Sequence, residues 1–131
     1  MHLARNALAA LAWLFIALLT IQVFLAGVGL FGAGRMSTHV DVGYTISGVP
    51  LLLLIAATVG RAGRLIGMSA VLLVLAFVQT SLPYFRDDLP FIAALHPVNA
   101  LALFWLTATI ARRATELARA PHAEAEAAPA Q

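Results

Sequence analysis

Residues 8–31 read LAALAWLFIALLTIQVFLAGVGLF, and none of these 24 side chains carries a charge. A helix needs about twenty predominantly apolar residues to cross the roughly 30 Å of hydrocarbon in a lipid bilayer. The stretch has both the length and the composition for this. It therefore predicts a helix that spans a membrane.

Three further apolar stretches follow, at residues 39–60, 65–83 and 89–111. The whole chain is 62% hydrophobic and 11% charged, whereas an average soluble domain carries about 25% charged residues. The four stretches use most of the 131 residues, which leaves little for a soluble domain. We therefore predict an all-α fold: a four-helix up-down transmembrane bundle over residues 1–119, followed by a disordered cytoplasmic tail over 120–131.

The arginines predict how the bundle is oriented. The chain has eight of them, spread along the sequence rather than clustered as in a nucleic-acid-binding patch. Cytoplasmic loops of membrane proteins carry an excess of positive charge, so the side with more arginines is the inner one. This predicts a bacterial inner-membrane protein with both termini in the cytoplasm and Arg35 and Arg86 in the outer loops. The six arginines on the inner side are Arg5, Arg61, Arg64, Arg112, Arg113 and Arg119.

Helix boundaries are predicted from capping signals. Thr38 followed by Asp41 resembles a capping box, so the second helix is expected to begin at Thr38 and to run to about Gly60. Asp87 or Asp88, just ahead of Pro90, has the N-cap pattern for the fourth helix.

An internal repeat is the most informative feature of the sequence. An offset of 57 residues places Gln22 on Gln79 (79 − 22 = 57) and His39 on His96 (96 − 39 = 57), so the spacing Gln-x16-His occurs twice. The repeat halves cover about residues 6–60 and 63–117. Each half is an outgoing helix with an amide in its outer part and a returning helix with a histidine near its start.

The repeated histidines predict a haem site. Helices two and four lie diagonally in an up-down bundle, so His39 and His96 are expected to ligate the iron of one haem b from opposite faces. Small residues one turn further along, Gly43 and Ala100, would let the flat macrocycle approach the backbone. Four more residues complete the predicted site: Gln22 and Gln79 as hydrogen-bond partners of the histidines or the macrocycle edge, and Arg35 and Arg86 as partners of the propionates.

Other classes of site are excluded or remain as alternatives. The chain has no cysteine, which excludes disulfides, thiolate ligands and iron–sulfur clusters. No hydrolase site can be assembled, since His39 and Asp41 do not share a helix face. The leading interpretation is electron transfer, with a quinone or a redox protein as partner, or haem handling. The alternatives are a non-catalytic accessory subunit of a larger membrane complex and a quinone- or lipid-binding bundle that uses the same Gln and His groups.

Three strings, QVFLAGVGLFG, HVDVGYTISG and LHPVNALALF, resemble a family of small, functionally uncharacterised four-helix membrane proteins of actinobacteria and related bacteria. This resemblance implies the four-helix fold and little about activity. The architecture is also loosely similar to one half of haem A synthase or to a b-type membrane cytochrome. That second resemblance implies a haem on paired histidines, although a single pair near one surface would not carry electrons across the whole membrane.

Overall fold

The structure of the protein is a computed structural model that describes the backbone of residues 1–126 and the side chains of residues 1–120. Within these residues the chain is all-helical and contains no strand. The helices are α1 (His2–Leu30), α2 (Met36–Ile46), α3 (Val49–Val59), α4 (Arg64–Ser81), α5 (Pro90–Ala93) and α6 (Leu95–Glu126), with a 3-10 turn at Leu82–Phe85. Helix α6 extends to Glu126, inside the predicted tail of residues 120–131. Residues 127–131 lie outside the described part of the chain.

These elements form four spans that are long and apolar enough to cross a membrane: His2–Leu30, Met36–Val59, Arg64–Phe85 and Pro90–Ala120. Between 17% and 28% of the most apolar window of each span is buried inside the bundle. Large apolar side chains therefore point outward, and Phe24, Phe77 and Trp105 are about 70% exposed. Such a surface suits lipid rather than water, which indicates a multi-pass membrane protein.

The spans pack in the order that an up-down bundle requires. The first span, α1, packs against the second (α2 and α3) on one side and against α6 on the other, while α4 contacts α3 and α6. Spans two and four are thus diagonal, as the sequence predicted.

The core is tighter at one end of the bundle than at the other. Buried apolar residues concentrate where α1 begins and α6 ends, and Leu8, Leu53 and Ile110 have no exposed surface. At the opposite end few residues are buried, and two of these, Gln22 and Ile46, keep 8% of their surface exposed. The predicted polar site therefore lies in the more loosely packed end.

The second span is broken, although the sequence predicted one continuous helix. Helix α2 ends at Ile46, and α3 begins at Val49 with Pro50 in its first turn. Pro50 has no N–H to donate to the carbonyl one turn earlier, and its ring obstructs a continuous helix. The Ser47 hydroxyl donates to the Tyr44 carbonyl at 2.7 Å and satisfies one acceptor at the break.

Both predicted capping signals were wrong. Helix α2 begins at Met36, with Arg35 as its N-cap and no side-chain cap bond, because the chain reverses tightly through Gly32 at a φ of +73°, a backbone conformation that glycine adopts without strain. The N-cap of the fourth span is Leu89 rather than Asp87 or Asp88. A break at Ala94 then separates α5 from α6.

Candidate functional site

The two predicted histidines meet at the loosely packed end of the bundle. His39 lies in the first turn of α2 and His96 in the first turn of α6, and both are half-buried. Their ring centroids are 6.2 Å apart, and the ring planes are inclined at 77°. The residues that the repeat aligned are therefore neighbours across the bundle diagonal.

The same backbone hydrogen bond orients each ring. His39 Nδ1 donates to the Gln22 carbonyl oxygen at 3.0 Å, and His96 Nδ1 donates to the Gln79 carbonyl oxygen at 3.0 Å. Because a carbonyl only accepts, the proton of each neutral ring is assigned to Nδ1. The lone pair is then on Nε2, which is the arrangement that backbone carbonyls impose on metal-binding histidines.

The Gln79 side chain engages the second histidine directly. Its amide nitrogen donates to His96 Nε2 at 3.2 Å, and its amide oxygen accepts from Asn99 Nδ2 at 2.7 Å. Asn99 also donates to the Leu75 carbonyl at 2.9 Å and so ties α6 to α4. The sequence analysis did not assign Asn99 to the site, although its position three residues after His96 places both on one helix face.

The Gln22 side chain is used differently. With its amide oriented to match donors with acceptors, its oxygen accepts from the Gly43 N–H at 2.8 Å and its nitrogen donates to the His39 carbonyl at 3.1 Å. The same nitrogen lies 2.8 Å from His39 Nδ1, where it competes with the ring proton that the Gln22 carbonyl holds. A Cβ on Gly43 would lie 3.6 Å from this amide. The space beside Gly43, expected to admit a macrocycle, thus holds the Gln22 side chain. Ala100 is half-buried, one turn beyond His96.

The two outer arginines lie in the connections at this end of the bundle. Arg35 is the exposed N-cap residue of α2. Arg86 forms a surface ion pair with Asp87 at 3.2 Å, with both side chains at least 80% exposed. Neither arginine hydrogen-bonds to the histidines, and their role toward propionates stays a prediction.

The donor set fits haem better than a bare metal ion. Among the residues described, no group of three or more His, Cys, Asp or Glu side chains could hold a metal, whereas a haem iron takes four ligands from its macrocycle and needs two axial ones. The two rings that would supply these ligands have centroids 6.2 Å apart. Iron binding at His96 Nε2 requires the Gln79 amide to rotate away.

A small crevice lies between the break in span two and α4. Its volume is about 140 Å³, and its lining includes Ser47, Ala76 and Phe77. The Tyr44 hydroxyl contacts the Tyr84 hydroxyl at 2.8 Å and joins α2 to the 3-10 turn after α4. The crevice could not be predicted from the sequence, because its shape depends on the break between α2 and α3.

Residues 22–83 match a family of unknown function, DUF6220. The match covers 62 of the 131 residues, including Gln22, His39, Gly43 and Gln79, and it stops before His96. It agrees with the resemblance to an uncharacterised family. No curated protein matches the chain, and neither does any solved structure, so the similarity to haem A synthase or b-type cytochromes is not supported.

Proposed function

We propose that this chain is a b-type haem protein of the bacterial inner membrane, with His39 and His96 as the axial ligands of one haem near the outer surface. The observation that carries the proposal is the pair of imidazoles with centroids 6.2 Å apart, each with its Nδ1 proton held by a backbone carbonyl. Their Nε2 lone pairs are then available to one iron.

Bound iron would supply one-electron chemistry, which suits electron transfer to a quinone or a redox protein. The chain's own contribution is orientation. The carbonyls of Gln22 and Gln79 fix the tautomer and the rotation of each ring and raise its basicity as a ligand. Arg35 and Arg86 would neutralise propionates at the outer surface.

The spectrum of the purified protein tests this function. In mild detergent with added haem, the wild type is expected to show the sharp α and β bands of bis-histidine ligation in a reduced-minus-oxidised spectrum. His39→Ala and His96→Ala should each lose these low-spin bands. His2→Ala is the matched control, because His2 lies at the start of α1, at the other end of the bundle. A protein that stays colourless through the haem titration contradicts the proposal.

We also propose that both termini lie in the cytoplasm. Six arginines at one end of the bundle against two at the other support this orientation, and Arg5 Nε donates to the Gly60 carbonyl at 3.1 Å, which joins the start of α1 to the turn before α4. Because the sequence contains no cysteine, a single introduced cysteine can be labelled without background from other thiols of the chain. An impermeant thiol reagent should label Ser37→Cys in intact cells and Arg61→Cys only after lysis; the reverse pattern would invert the topology.

The crevice beside α4 favours a second candidate function, a quinone site. A volume of about 140 Å³ is close to that of an engineered cavity, about 150 Å³, that holds benzene. Organic extraction of the purified protein would identify a bound quinone, and Ala76→Phe should displace it by filling the crevice. A quinone retained equally by this variant argues against the crevice as the site.

A further inference from the structure

An apolar groove runs along the outside of the bundle at the arginine-rich end. It lies between the first turns of α1 and the last turns of α3, is open along much of its length, and has a volume of about 550 Å³. Its lining is entirely apolar and includes Ala4, Ala7, Leu52, Ile55 and Val59. The small alanines on α1 make it concave.

A partly buried contact holds one cation close to this groove. Arg5 Nε donates to the Gly60 carbonyl at the C-terminus of α3, where a positive charge is favourable because the helix dipole is negative. A Cβ on Gly60 would lie 3.3 Å from Arg5 Cγ, so glycine gives the arginine stem its room. The rest of the Arg5 guanidinium has no carboxylate partner among the described residues.

A second cation, Arg61, comes directly after Gly60 in the chain. Arg61 is exposed and has a φ of +49°, a left-handed conformation that is uncommon for a residue other than glycine. Like Arg5, it forms no ion pair with any carboxylate in the described part of the chain. Arg5 directly follows the lining residue Ala4, and Arg61 comes two residues after the lining residue Val59. An apolar groove with two such arginines beside its lining is complementary to an acyl chain joined to an anionic headgroup.

We propose that this groove binds an anionic phospholipid, with an acyl chain between α1 and α3 and its phosphate against Arg5 and Arg61. The guanidinium fork suits phosphate oxygens, whereas the cationic part of a zwitterionic headgroup would be repelled. The proposal rests on the chain spanning a bilayer and does not depend on haem, so a colourless protein leaves it standing.

Native mass spectrometry of the detergent-purified protein tests the selectivity. Phosphatidylglycerol and phosphatidylcholine with identical acyl chains would be titrated separately, and the wild type should retain phosphatidylglycerol preferentially. Each arginine near an anionic lipid surface contributes about 1 kcal/mol, so Arg5→Gln and Arg61→Gln should each weaken phosphatidylglycerol binding about fivefold, and the double variant about 25-fold. Ala7→Phe, which fills the groove, should reduce the binding of both lipids.

The controls are the arginines at the opposite end, Arg35→Gln and Arg86→Gln, which should not change lipid selectivity. Arg61→Gln keeps the test decisive if Arg5→Gln fails to fold, because Arg61 is exposed and makes no described side-chain hydrogen bond. Equal retention of the two lipids by the wild type would overturn the proposal, and so would unchanged selectivity in Arg61→Gln. Displacement of the lipid by inorganic phosphate alone would show that the acyl chain contributes nothing.

Discussion

Replacing Gln79 by leucine is expected to raise haem affinity while lowering the stability of the haem-free protein. In the structure the Gln79 amide donates to His96 Nε2 at 3.2 Å, and this is the lone pair that iron needs. The Gln79 carbonyl, which holds the Nδ1 proton, belongs to the backbone and survives the substitution. The variant therefore removes a competitor for Nε2 and keeps the group that orients the ring.

The magnitudes follow from the hydrogen bonds. A side-chain hydrogen bond inside a membrane protein contributes about 0.6 kcal/mol. Removing the one that competes for Nε2 should thus tighten haem binding about threefold. Gln79 makes two side-chain hydrogen bonds, to His96 and Asn99, so the haem-free protein should lose about 1.2 kcal/mol.

Gln22→Leu is the matched control. Its amide contacts the α2 backbone at His39 and Gly43 and lies 2.8 Å from His39 Nδ1, but none of these contacts involves Nε2. It should lose similar stability without gaining affinity. Haem titration monitored at the Soret band measures affinity, and denaturant titration followed by circular dichroism measures stability. If Gln79→Leu binds haem more weakly than Gln22→Leu, the amide supports the ligand instead of competing with it, and the reasoning fails.

Three further tests, with five substitutions in all, probe the packing through thermal or denaturant unfolding. Gly60→Ala should destabilise by about 1–3 kcal/mol, since its Cβ would lie 2.9 Å from the Ala56 carbonyl oxygen; wild-type stability would refute that contact. Leu72→Ala should cost about 2–5 kcal/mol, the range for truncating a fully buried leucine, whereas Val74→Ala, on a side chain 61% exposed, should cost almost nothing. A double-mutant cycle of Tyr44→Phe and Tyr84→Phe should give about 0.6 kcal/mol of coupling, and additive effects would contradict their hydrogen bond.

The helix count and order could be predicted because lipid imposes them. A chain that crosses hydrocarbon must satisfy its backbone within each span, so apolar length alone defines the spans. The break between α2 and α3 could not be predicted from apolar length. Pro50 signals a local disturbance, but whether a proline bends or interrupts a span depends on how neighbouring groups satisfy the freed carbonyl. The predicted caps at Thr38 and at Asp87 or Asp88 were also wrong, because the tight turn at Gly32 lets α2 begin at Met36 and the fourth span begins at Pro90 with Leu89 as its N-cap.

The histidine pairing could be predicted because it follows from topology. Equal spacing in two hairpins puts His39 and His96 at equivalent points on diagonal spans, and the structure brings them together. The hydrogen-bond partners of the two glutamine amides could not be predicted. They depend on which donors lie within about 3 Å, and such distances are set by helix packing rather than by spacing along the chain.

The two halves of the bundle differ in the surroundings of their glutamine amides. Gly43 leaves room for the Gln22 amide against the α2 backbone. The equivalent position in the second half is Ala100, and its neighbour Asn99 binds the Gln79 amide oxygen and turns the amide nitrogen toward His96. His39 Nε2 has no hydrogen-bond partner among the described residues, whereas His96 Nε2 has one.

The two axial positions should therefore be unequal, with His39 binding iron first. His96→Ala is expected to keep a five-coordinate, high-spin haem on His39, while His39→Ala should bind haem about threefold more weakly, because the remaining nitrogen is engaged by Gln79. Adding imidazole should restore the low-spin spectrum to His96→Ala. Equal haem content in the two variants would contradict this order, and it would mean that the Gln79 amide gives way to iron at no measurable cost.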